Sequence, residues 1–322
     1  SQQTLDITLL QCVLMGLSIR GSGQRVRVNV TSSILDSGAL EFEGDFGASS
    51  HILVAGSTLV TTWDHAIAFY LLSLGANSTL LVLDNHIEGN SYAVYFSIGV
   101  VDSSGVIVKG NTLRTTDEDD GVESSVRVCS FLKNGSYFDV ENNTMSSVNG
   151  VYLFGDIVVS AAGLLRVADC TFVGSVDFLD SALVCFDRFV TLQGGAQWRV
   201  EGNNVSTALV LSTANAQHQI QLSGSGTTVV LAHNRQVDDS CSFAELDQSN
   251  TILASPARFV VGCNLQGDEE ALYSDVFPEG VEVFRCGTCN DDAACYMPRD
   301  ESVDRGSCSC SCKDGWAWRV VS

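Results

Sequence analysis

A short motif recurs through most of the chain, and its spacing constrains the fold more than any other feature. A run of alternating apolar residues ends in a small polar residue or Cys, and usually another apolar side chain follows two positions later. Leu81-Val-Leu-Asp-Asn85-His-Ile87, Ile107-Val-Lys-Gly-Asn111-Thr-Leu113 and Trp198-Arg-Val-Glu-Gly-Asn203-Asn-Val205 are examples. The key positions are Cys12, Ser32, Ser57, Asn85, Asn111, Asn143, Cys170, Asn203, Asn234 and Cys263, separated by 20 to 33 residues. The mean period of about 28 belongs to stacked repeats. Variable gaps around a fixed motif are what a solenoid tolerates, because loops grow outward without disturbing the stack. Leucine-rich repeats have a similar period but need a helical arc. The intervening segments, such as Ala93-Val-Tyr-Phe96 and Val151-Tyr-Leu-Phe154, read instead as short strands. The expected fold is all-β, a right-handed parallel β-helix of the pectin-lyase-like type with about ten coils. At about 4.8 Å between strands, such a rod is about 45 Å long.

The key residue has a physical task. Each coil bends sharply between strands, and Asn tolerates the left-handed backbone that such a bend needs. Stacked in successive coils, Asn side chains are expected to form an amide ladder, while Ser and Cys fit the same slot without the amide bonds.

Composition narrows the function classes. With 38 acidic against 17 basic residues, the formal charge is -21, which repels phosphate backbones and excludes a nucleic-acid binder. The 45% apolar content is too high for a disordered acidic tail. No run of 18 apolar residues occurs, so no transmembrane helix is expected within these residues. Five N-glycosylation sequons start at Asn29, Asn77, Asn134, Asn142 and Asn204, beside 12 cysteines. Together they favour an extracellular location, on a cell surface or secreted. The chain opens Ser1-Gln2-Gln3 and enters an alternating segment directly, which reads as a processed chain or a piece of a longer one.

Two domains are expected, a β-helix over 1–280 and a Cys-rich module over 281–322. The segment 268–278 interrupts the repeat and reads as a cap. Beyond it stand Cys286, Cys289, Cys295, Cys308, Cys310 and Cys312. So short a segment cannot bury a core, so disulfides are expected to hold it, with 15 pairings open. Cys286-x2-Cys289 also has zinc-ligand spacing, but an oxidising compartment disfavours that alternative. In the coils, Cys170–Cys185 and Cys241–Cys263 are expected pairs between neighbouring coils, and Cys12 has no evident partner.

The tract Cys286-Gly-Thr-Cys289-Asn, then Ala294-Cys295-Tyr-Met-Pro298, then Ser307-Cys308-Ser-Cys310-Ser-Cys312-Lys-Asp-Gly-Trp316 resembles the dispersed gene family 1 surface proteins of trypanosomatid protozoa. Its ending is also EGF-like. The Asn-bearing coils resemble the same family more loosely. The resemblance implies a large glycosylated surface or secreted protein with β-helical ectodomains that adheres to host ligands.

Chemistry-bearing clusters are few. Asp117, Glu118, Asp119, Asp120 and Glu123 concentrate carboxylates in one loop, with Arg114 and Arg127 the nearest cations. Its oxygens suit weak calcium binding, although no cofactor is required. Trp63-Asp64-His65 is a second candidate. No nucleophile elbow, dinucleotide fingerprint or P-loop occurs. The expected function is a non-enzymatic extracellular scaffold or adhesion module. Its partner is an extracellular protein, a glycan, or neighbouring coils of a larger parent. A carbohydrate-active lyase or hydrolase and a structural subunit of a coat or filament are the alternatives. The enzyme would need paired carboxylates converging on one face, in a groove around Asp117–Glu123.

Overall fold

The computed structural model describes residues 4–116, 123–175, 181–214, 219–237, 244, 251–254, 257–266, 269–270, 282–288 and 316–320. The described residues form an all-β, solenoid-like fold. Each coil contributes to three stacks, and strands pair in parallel with the coils before and after; from Asn149 onward the third-stack segment is split in two, as in Asn149–Leu153 and Ile157–Ser160. In one coil, Thr79–Leu83 lies in the first stack, His86–Gly89 in the second and Tyr92–Val100 in the third. The next coil repeats this with Gly105–Lys109, Thr112–Thr115 and Ser124–Leu132. The strand Leu17–Thr31 runs unbroken from the third stack into the first. It therefore merges those two stacks into one 23-stranded sheet, while the second stack forms a sheet of 11 strands.

Period-two burial builds the core. Along Thr79–Leu83 the side chains of Leu80 and Val82 are fully buried while their neighbours face outward, as a half-buried strand requires. Parallel in-register pairing then stacks like on like. Phe42, Phe69 and Phe96 are register partners inside the third stack. Their rings stack at 4.8 and 5.0 Å.

The corner between the first and second stacks carries the expected ladder. Asn111 Oδ1 accepts from Asn85 N at 2.9 Å and from Asn85 Nδ2 at 3.0 Å. Asn85 Nδ2 also donates to the Val54 carbonyl of the coil before, at 2.9 Å. The same arrangement joins Asn111 to Asn143, Asn203 to Asn234, and Asn234 to Asn264. Each amide thereby satisfies backbone groups of the bend that are closed to water.

Two key positions shift by one residue. The ladder uses Ser33, not Ser32, and Asn264, not Cys263: Ser33 Oγ accepts from Cys12 N, and Asn264 Oδ1 from Asn234 N. The left-handed bend also falls elsewhere than expected. It belongs to the residue before each ladder position. Gln11, Ser32, Gly56, Asp84, Gly110, Asn142, Asp169, Gly202, His233 and Cys263 all have φ between 50° and 70°. The turn thus needs two residues, one to reverse the chain and one to point a side chain inward.

A second ladder lines the corner between the third and first stacks, and the repeat motif did not disclose it. Val26 N, Ser50 N and Ser78 N donate to the hydroxyls of Ser50, Ser78 and Ser104 at 2.9, 2.9 and 3.1 Å. Toward the C-terminal end, Glu282–Thr288 adds a parallel rung beside Arg258–Gly262. That strand also pairs antiparallel with Trp316–Val320. Among the described residues no helix is long and apolar enough to cross a membrane.

Candidate functional site

The outer surface of the third stack carries a cluster unlike the rest of the exterior among the described residues. Strand alternation turns Ile67, Phe69 and Leu71 inward, so Ala68 and Tyr70 face out. Parallel register then lines up Glu41, Ala68, Tyr95, Arg127, Tyr152 and Cys185 in one outward column across successive coils.

Arg127 is the centre. Its Cζ lies 3.9 Å from the Phe154 ring centroid, 4.5 Å from that of Tyr92, 5.7 Å from Tyr152 and 5.8 Å from Tyr95. A guanidinium enclosed by four rings is held by cation–π attraction, worth about 0.5–2 kcal/mol per desolvated contact. Nη1 donates to the Tyr92 hydroxyl, while Nε is buried with no acceptor among the described residues. Burial pushes the Arg127 pKa down, against upward pulls led by Tyr152 and Asp64.

Next to it, His65 sits edge-on to Tyr70 at 5.8 Å, and Tyr70 tilts against Tyr95 at 5.3 Å. His65 Nε2 is 3.4 Å from Glu41 Oε1. Burial, then the neighbouring Tyr95, Glu41, Asp64 and Glu43, push the Tyr70 phenol up to about 12. Tyr95 and Tyr152 are raised too, each chiefly by burial. Beneath them Tyr152, Ala182, Cys185 and Leu209 form an apolar cluster separate from the main core. Trp63, 62% exposed, and Tyr70, 39% exposed, border the patch.

While Tyr92 and Tyr152 are buried, the chemistry available at the surface is the partly exposed ring faces of Tyr70, Tyr95 and Phe154, with carboxylates beside them. Such faces pack against the C–H side of a sugar ring, and carboxylates accept from its hydroxyls. The first stack offers a contrast. There Arg166 is 3.1 Å from Asp139 and from Glu201, and 3.4 Å from Glu141. That network joins three coils and leaves its cation engaged.

The residues singled out by sequence are dispersed. Of the acidic loop, Asp117, Glu118, Asp119 and Asp120 lie outside the described residues. Glu123 is 2% exposed and its carbonyl accepts from Asn149 N at 2.9 Å. Among the described residues no group of three His, Cys, Asp or Glu side chains is placed to hold a metal ion. Trp63-Asp64-His65 does adjoin the aromatic cluster. Sequence reasoning missed Tyr70, Tyr92, Tyr95, Tyr152 and Phe154. Only the coil register brings them together.

The cysteines require a correction. Cys170 is a free thiol in the core, and it does not form the expected disulfide with Cys185. Cys170 fills the Asn slot of the first ladder inside the core, where its N donates to Asn203 Oδ1 at 2.9 Å. Cys185 belongs to the separate outer cluster of the third stack. Different sides of the coil keep them apart. Cys12 and Cys129 are also free. Cys263 is disulfide-bonded, and Cys241 lies outside the described residues. Cys286 is placed by its backbone alone, opposite Trp318. Cys289, Cys295, Cys308, Cys310 and Cys312 lie outside the described residues.

Asn77, Asn134, Asn142 and Asn204 are exposed, whereas Asn29 is half-buried within a strand. No family model, curated protein or solved structure matches the chain.

Proposed function

We propose that the chain is part of an extracellular adhesion scaffold, a right-handed, pectin-lyase-like β-helix that binds glycans through the outer face of its third stack. The observation that carries this reading is the ring cluster around Arg127. Four aromatic side chains, two from the coil before Arg127 and two from the coil after it, converge on Arg127 beside Glu41, Glu43 and Asp64. Tyr92 and Tyr152 are buried, and Tyr95 and Phe154 are half-buried beside the exposed Tyr70, a concentration of rings that a face needed only for solubility does not require. The extracellular part of the reading draws on the five sequons and on the disulfide at Cys263. The likeness of the Cys286–Trp316 tract to dispersed gene family 1 adds an EGF-like module and a larger parent protein.

The test is a printed array of neutral and acidic glycans, probed with the full chain with and without calcium. The same glycans are then assayed in solution for cleavage. Saturable binding without cleavage supports adhesion. New reducing or unsaturated ends would move the chain to the carbohydrate-active alternative. A calcium requirement would point to the Asp117–Glu123 loop.

A further inference from the structure

The sequons sit on one side of the rod. Asn77 and Asn134 occupy the corner between the third and first stacks, each in a left-handed bend with φ of 55° and 53°. Asn142 holds the bend between the first and second stacks, with φ of 53°, and Asn204 opens the second-stack strand beside it. All four are exposed. None of the five sequons falls on the third stack or on its corner with the second.

Asn29 differs from the others. It is in mid-strand, paired in register with Thr8 and Leu53, and its Oδ1 is buried without a partner among the described residues. It also lines a groove of about 380 Å³ with Arg25, Arg27 and His51.

We propose that N-glycans on Asn77, Asn134, Asn142 and Asn204 frame the first stack along both of its edges. They leave Asn29 unmodified and the third stack bare. The bare side is the one that carries the Arg127 cluster, so this inference rests on the extracellular reading above and gives it a direction. In each modification the donor is a lipid-linked oligosaccharide pyrophosphate supplied by the secretory pathway. The bond between sugar C1 and the pyrophosphate oxygen breaks, and the lipid pyrophosphate leaves with the electron pair. A bond from C1 to Asn Nδ2 forms, and the nitrogen gives up one proton. Exposed bends accommodate this bulk, because a glycan there projects into solvent. At Asn29 it would have to displace the side chains of the groove.

The full chain, secreted from a glycosylating cell line, is treated with an amidase in heavy-oxygen water, and occupancy at each Asn is read by mass spectrometry. The expected result is high occupancy at Asn77, Asn134, Asn142 and Asn204 and less than a tenth at Asn29. Occupancy above half at Asn29, or an empty site among the four, would overturn the inference. A second arm uses Phe189→Asn, which creates the sequon at 189–191 on the third stack, two residues from the Asp187 that acts on Tyr152. For a glycan that scores on the array, removing the four native glycans should change affinity less than twofold. The added glycan at position 189 should weaken it tenfold or more. The reverse pattern would overturn the bare-face assignment. If the array yields no binder, the adhesion reading fails while the occupancy map still decides the glycan arrangement.

Discussion

Asn111 Oδ1 receives two hydrogen bonds from Asn85, one from the backbone N at 2.9 Å and one from Nδ2 at 3.0 Å. A single side-chain oxygen thus fixes both the bend and the amide of the coil before it. Asn111 Nδ2 in turn donates to the Val82 carbonyl and to Asn143 Oδ1, each at 2.9 Å. Replacing Asn111 by Ala strands several of these groups at a site 1% exposed. Buried groups left unpaired cost about 1–3 kcal/mol each. The expected loss is about 3 kcal/mol or more in a urea melt, against less than about 0.5 kcal/mol for Asn204→Ala on the surface.

Cys170 is the weak rung. Asn143 Nδ2 reaches its Sγ only at 4.0 Å, and Sγ lies 3.6 Å from the Val140 carbonyl that an Asn would engage. Cys170→Asn restores the amide pattern and is expected to stabilise the chain by about 1 kcal/mol. Cys170→Ala, which leaves Asn143 without its partner, should destabilise it. Denaturation midpoints of the two variants, on opposite sides of the parent, check this.

At Gly110, φ is 70° and an added Cβ would stand 2.2 Å from Asp84 Oδ1 of the previous coil. Gly110→Ala should therefore cost about 1–3 kcal/mol, combining strain with the clash. Adding Asp84→Gly removes the carboxylate, so the double variant should recover part of that loss. A double-mutant cycle that shows strict additivity would contradict the contact.

Much of the fold is legible in these corners. An Asn that ends an alternating apolar run is a polar residue where the pattern demands burial, and stacking resolves the conflict. The offset at Ser33 and Asn264 was hidden because each adjoins a residue of acceptable chemistry, Ser32 and Cys263. Ser50, Ser78 and Ser104 gave no signal, since Ser before a strand is common in any loop. Counting cysteines misled at Cys170, because a thiol that packs as a small core residue looks identical in sequence to one that cross-links. The rings around Arg127 span positions 92 to 154 and meet only through register, so the sequence showed Arg127 merely as a cation near the acidic loop, and the cluster's margin at Trp63-Asp64-His65.

The phenols of the third stack predict an alkaline transition. An unfolded Tyr titrates near 10, whereas Tyr70 in the fold is pushed up to about 12, mainly by burial. A group whose folded pKa is raised contributes stability that is intact below the unfolded value and is lost as pH rises through the folded one. Stability should therefore fall between about pH 10 and 12. Tyr70→Phe should flatten that fall. Urea melts across this range, with tyrosinate absorbance as the second readout, measure both.

The central claim is that the third stack is the binding face, and the most direct measurement is solution affinity for an array-positive glycan. The parent chain is compared with the Tyr70→Ala, Tyr95→Ala double variant and with Arg166→Ala as a control on the first stack, after each is shown to fold by its melt. The expected result is at least a tenfold loss for the double variant, equivalent to about 1.4 kcal/mol, and less than twofold for Arg166→Ala. Unchanged affinity in the double variant, or an equal loss in Arg166→Ala, would contradict the assignment of the Arg127 face as the binding surface.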